Sequence, residues 1–156
     1  MARMMIVKRT LRFALVIGLS AAGALAYDVT DRGKLFGSWE LDMQAADSPV
    51  TWTLMKKENG AVVTNREEDK IVANYECKLD GSTCQNKVGK DKVELSMWFN
   101  GPKLVLMETK GDRILKRRFH ALAQGDVLEL EIIPLVPDGQ LKTLHFKRVE
   151  LSAPRR

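Results

Sequence analysis

Six short turn signals punctuate the chain: Asn59-Gly60, Asp80-Gly81, Asn100-Gly101, Gly111-Asp112, Gly125-Asp126 and Asp138-Gly139. They recur at about ten to twenty residues, and Asn-Gly and Asp-Gly steps favour the positive φ values of tight hairpins. No segment between them carries a sustained helical repeat. The pattern predicts an all-β protein, an antiparallel meander of about ten strands. These are Phe36 to Met43, Thr51 to Lys57, Ala61 to Arg66, Ile71 to Leu79, Ser82 to Val88, Lys92 to Phe99, Lys103 to Lys110, Arg113 to Ala121, Val127 to Ile133 and Leu141 to Leu151.

Because a slip of one residue inverts every side chain of a strand, the turns and the apolar alternation test one another. A two-residue turn at Asn100-Gly101 pairs Met97 with Leu104, Leu95 with Leu106 and Val93 with Glu108. A turn at Gly111-Asp112 pairs Glu108 with Leu115, Leu106 with Arg117 and Leu104 with Phe119. A turn at Gln124-Gly125 sets Leu130 beside Phe119. All three agree on one apolar face of Val93, Leu95, Met97, Leu104, Leu106, Leu115, Phe119, Leu128, Leu130 and Ile132. The other face holds Glu94, Ser96, Lys116, Arg118, Glu129 and Glu131, which suits water. So long a meander must curl, and closing it into a barrel of eight to ten strands removes its exposed edges. Such a barrel is either filled by side chains or holds one small ligand.

Charge bears on location more than on partners. The first 26 residues carry Arg3, Lys8, Arg9 and Arg12 with no acid, then the apolar run Phe13 to Leu19 and the small-residue ending Ala24-Leu25-Ala26. This is the order of a cleavable export signal, and about 14 apolar residues fall short of the roughly 20 a membrane-spanning helix needs. The expected organisation is a signal peptide at 1–26, an N-terminal arm at 27–34, a barrel domain at 35–151 and a tail at 152–156. Of the chain's 25 basic and 20 acidic residues, four basic ones leave with the signal. The remaining 21 against 20 removes the basic surface that nucleic-acid binding requires. The mature chain is expected to be exported to the periplasm or medium, with no membrane span.

Cys77 and Cys84 are symmetric about Asp80-Gly81. Export makes a disulfide the default, with a metal site as the alternative. A two-residue turn would make them a hydrogen-bonded pair, a geometry bridges use less often, so either the turn is longer or the bond is strained. Arg117 falls on the apolar face and requires an anion there. Glu108, diagonal to it across the hairpin, is one candidate, and an acidic ligand head-group is the other. His120 and His145 lie on different strands, and whether His145 or Phe146 points inward is open. Trp98 alternates outward as a candidate contact residue. None of the common nucleophile, metalloprotease or phosphate-loop motifs is present, so the expectation is a non-enzyme without metal or cofactor.

The segment Leu35-Phe36-Gly37-Ser38-Trp39-Glu40-Leu41 resembles the G-x-W opening of the calycin superfamily, the lipocalins and fatty-acid-binding proteins. The order of segments from Asn100-Gly101 to Phe146-Lys147-Arg148 is similar to the last strands of that group and to short exported lipocalin-like bacterial domains. The resemblance implies that Gly37 lets the first strand bend and that Trp39 closes the base of the barrel against a basic residue of the last strand, for which Arg148 is the candidate. The gap from Met43 to Thr51 is too short for the helical lid of fatty-acid-binding proteins, and Arg117 alone matches a basic clamp position. The implied function is carriage of a small hydrophobic, amphipathic or acidic ligand, with Trp52, Leu95, Met97, Leu106, Arg117, Phe119, Leu130 and Phe146 as candidate ligand contacts. The alternative is a protein-interaction module, such as a periplasmic protease inhibitor, with a solid core.

Overall fold

A computed structural model describes residues 31–42, 48–68, 70–122 and 124–150. The expected signal peptide, the first part of the arm and the tail at 152–156 lie outside them. Ten strands follow one another: β1 Gly37–Leu41, β2 Val50–Lys56, β3 Gly60–Glu67, β4 Lys70–Lys78, β5 Asp80–Val88, β6 Asp91–Asn100, β7 Lys103–Lys110, β8 Arg113–Ala121, β9 Val127–Val136 and β10 Lys142–Val149. All pairings are antiparallel, in the order β4-β3-β2-β1-β10-β9-β8-β7-β6-β5. The sheet is a nearly closed barrel. A single helical turn at 31–34 precedes β1, and among the described residues no helix is long and apolar enough to cross a membrane.

The inner face follows the alternation. Val93, Leu95, Met97, Leu104, Leu106, Phe119, Leu128 and Leu130 are buried, and Ile132 packs against them half-buried. Leu115, also expected inside, is only half-buried because it sits near the rim. The β7–β8 and β8–β9 registers are the expected ones, with Leu104 opposite Phe119 and Phe119 opposite Leu130.

The β6–β7 register differs. Asn100 stays in the ladder opposite Lys103, so Met97 faces Leu106 and Leu95 faces Glu108. The turn is Gly101-Pro102, with Gly101 at φ 61°. A type II′ turn asks for glycine first, and proline has no ladder N–H to lose in the second place. A shift of two residues leaves every side chain on its face. The expected strand β9 also ended too early: it runs through Pro134, where the β8–β9 ladder shifts register between Ile114 and Leu115. A bulge is one of the few places in a sheet that tolerates proline.

The Asp80-Gly81 segment is a corner, and it does not make the expected paired hairpin. Asp80 Oδ1 accepts from Ser82 N and Oγ at 2.9 and 2.5 Å, and these hydrogen bonds lower the Asp80 pKa. Past the corner, β4 pairs only with β3 and β5 only with β6, so the two strands are the edges of the sheet. Other groups hold this seam. The Cys77–Cys84 disulfide spans it with Cα atoms 5.9 Å apart. Beyond it, the Asn86 side-chain amide bonds the Glu76 peptide from both sides, accepting from Glu76 N at 2.9 Å and donating to Glu76 O at 3.1 Å. A side chain thus replaces one peptide unit of the missing ladder.

Removing the disulfide should therefore cost more than a surface cross-link would. Closing so short a loop constrains the unfolded chain by about 2–3 kcal/mol. The double variant Cys77→Ser/Cys84→Ser should move the urea unfolding midpoint down accordingly; an unchanged midpoint would mean that Asn86 and the core close the seam alone.

Candidate functional site

The two ends of the barrel differ. At the base, Leu35 and Trp39 are fully buried, and Trp39 Nε1 donates to Leu35 O at 3.0 Å. The Arg148 guanidinium lies 4.1 Å from the centre of the Trp39 ring, a favourable cation–π distance. It also donates to Gly125 O at 2.8 Å, to Phe36 O at 3.2 Å and to Lys34 O. Gly37, at φ 148°, admits this approach, because a Cβ there would strike Arg148 NH1. Three backbone carbonyls and the Trp39 ring meet on one guanidinium, and the base is shut.

Above the base lies a packed layer. Of the candidate ligand contacts, Leu95, Met97, Leu106, Phe119, Leu130 and Phe146 are at most 1% exposed and Trp52 is 4% exposed. Trp52 packs edge-on against Phe119 at 5.3 Å. Phe146 points inward, and His145 outward to a 3.7 Å contact with Glu129.

Arg117 sits on the upper side of this layer. Its NH1 donates to Glu108 Oε2 at 2.8 Å, and both side chains are 13% exposed. The same oxygen accepts from Tyr75 Oη at 2.6 Å. The guanidinium carbon lies 5.9 Å from the Trp52 ring and 5.7 Å from that of Tyr75. Strands β2, β4, β7 and β8 thus converge on one ion pair, and the Tyr75 hydrogen bond to it crosses the lumen. Asn65 faces inward opposite Trp52, and its buried Oδ1 has no hydrogen-bond partner.

Burial pushes the Tyr75 hydroxyl pKa well above its ordinary value near 10, the Arg117 charge opposes this, and Glu108 adds to it. The sign follows: an unfolded chain would release this proton first, so the contribution is intact below about pH 10 and lost as pH rises further. Tyr27 and Tyr75 are the two tyrosines. Absorbance near 295 nm should therefore show Tyr75 ionising only with alkaline unfolding. Ionisation of both tyrosines while the protein stays folded would contradict the buried placement.

At the far end, the turns after β3, β5, β7 and β9 gather. A recess of about 280 Å³ opens there, lined by Glu108, Arg113, Ile114, Leu115, Pro134 and Val136 among others. Glu108 belongs both to this recess and to the interior ion pair. Around the rim Leu135, Val136, Leu141 and Ile71 are exposed.

Neither histidine joins this cluster, and no group of three potential metal ligands occurs among the described residues. Trp98 faces outward, half-buried, opposite Val105. Tyr75 and Asn65 were absent from the sequence-derived site. The alternation Ala73, Tyr75, Cys77 signals an inward tyrosine, but nothing local signals that β4 reaches β7 across the lumen.

No protein-family model matches the chain, and no curated protein matches it by sequence. Solved structures do match in fold. An abundant heat soluble (SAHS) protein from Ramazzottius varieornatus superposes with a TM-score of 0.62 at 10% identity, over 74% of this chain and 96% of that one. A Schistosoma mansoni fatty acid binding protein in complex with arachidonic acid gives 0.61 at 13% identity, over 77% and 99%. The fluorescent protein UnaG gives 0.59 at 13% identity, over 75% and 98%. The chain has the calycin-type barrel fold.

Proposed function

We propose that this protein is an exported, non-enzymatic carrier whose barrel takes a small apolar or amphipathic molecule at its open end, polar end toward Glu108, Arg117 and Tyr75. The observation that carries the reading is the continuity of an interior charged cluster with the recess at the open end, which has both charged and apolar walls, since Glu108 belongs to both. A concave site with a few convergent polar groups is what small-ligand binding needs. At about 280 Å³ the recess is just below the usual range of about 300–1,000 Å³, which favours a short ligand. In this reading Arg117 and Trp52 lie at the ligand's inner end, while Leu95, Met97, Leu106, Phe119, Leu130 and Phe146 are the packed floor that keeps it there. Fatty acid is named for structures similar in fold, which supports an apolar chain as part of the ligand. Export rests on the order of charge and hydropathy in residues 1–26.

Native mass spectrometry of protein purified from the exported fraction tests it. The expected species starts at Tyr27 and carries a non-covalent mass lost on collisional activation. A bare chain co-purifying with a protease would overturn the carrier reading and favour an inhibitor.

A further inference from the structure

The interior cluster is chemically asymmetric. Arg117 is the inward cation of the layer around Trp52, and Glu108 neutralises it at 2.8 Å. Tyr75 is the second donor to that carboxylate, and it and Arg117 both bond Oε2. Glu108 also lines the recess. Asn65 Oδ1, on the inner face opposite Trp52, is buried without a donor. An unsatisfied buried acceptor is costly, and a ligand donor recovers that cost. The unmet demand of the buried layer is thus for a hydrogen-bond donor, and its cation, Arg117, already has a counter-ion. A carboxylate entering it would face Glu108, a like charge in a poorly solvated space, and would have to displace that residue from Arg117.

We propose that the barrel selects amphiphiles with a neutral, hydrogen-bond-donating head-group, a hydroxyl or primary amide, and discriminates against the carboxylate of the same chain length. Glu108 is the residue that sets this preference, by occupying the arginine that a carboxylate would need. The proposal rests on the carrier reading. It predicts that one change of charge inverts the selectivity, because Glu108→Gln removes the competing anion and leaves Arg117 free.

The test is calorimetric titration of the mature, oxidised protein at pH 8 with three ten-carbon probes: decan-1-ol, decanamide and decanoate. Decanol and decanamide are expected to bind at least tenfold more tightly than decanoate. In Glu108→Gln decanoate is expected to gain at least tenfold and become the preferred probe. Asn65→Leu, which removes the buried acceptor and leaves the ion pair intact, should weaken decanol and decanamide several-fold and leave decanoate unchanged, and it serves if Glu108→Gln does not fold. Decanoate preferred by the unmodified protein, or a preference indifferent to both variants, overturns the head-group proposal and leaves the carrier reading standing. No binding of any probe overturns both.

Discussion

Trp39→Ala is expected to lower the folding free energy by about 3–5 kcal/mol, the cost of emptying a core site of that size. For a domain whose total stability lies in the range of about 5–15 kcal/mol, this is a large fraction of the whole. The indole is fully buried, and its removal also deletes the donor to Leu35 O and the surface on which Arg148 rests. Arg148 holds backbone carbonyls of the 34–36 segment and of Gly125, so the loss would spread from one cavity to the closure of the base. The fall in thermal midpoint should be roughly 15 °C. Trp39→Phe, which keeps most of the volume but not the donor, should recover more than half of it. A Trp39→Ala midpoint within a few degrees of the parent would mean that the base is not closed as described.

Arg117→Met is expected to cost about 3 kcal/mol, at the lower end of what removing one member of a buried ion pair costs. Glu108 would remain mostly buried as an uncompensated anion, with Tyr75 as its remaining protein donor. The lower end applies because the recess gives that carboxylate some access to water. The second substitution, Arg117→Met/Glu108→Leu, should return a large part of the loss, since apolar replacement of an entire buried pair is often neutral. Denaturant midpoints of the two single variants and the double variant give the coupling as a double-mutant cycle. Additive effects would contradict a direct ion pair.

Much of this barrel was legible in the sequence. Glycine turns and a period of two located all ten strands to within a few residues, because hairpin turn chemistry and side-chain alternation are local properties. The β7–β8 and β8–β9 registers followed from the same two signals. At β6–β7 the reading slipped by two, since Asn100-Gly101 and Gly101-Pro102 are both acceptable turns and both keep Met97 and Leu104 inside. The inner face was right even where the partners were not. A period of two carries no information about which even shift a hairpin takes.

The seam is not legible along the chain for a related reason. Symmetric cysteines about Asp80-Gly81 describe a hairpin equally well whether its strands bond to each other or to their outer neighbours. Which it is depends on curvature accumulated over all ten strands, and on where Asn86 meets Glu76. The interior cluster is similar. Arg117 on the apolar face and the nearness of Glu108 were readable across one hairpin, but Tyr75 comes from the opposite wall of the barrel.

Alternation and turns along the chain thus settle the strand count, the antiparallel meander, the composition of the inner wall and the presence of one charge within it, since each depends on residues a few positions apart. Folding in three dimensions settles where the sheet stays open, that its base is shut by Arg148 on Trp39, that the lower lumen is filled, and that Glu108 neutralises Arg117 while lining the recess. Those properties depend on distances across the barrel between strands that never pair, and no period along a chain encodes them.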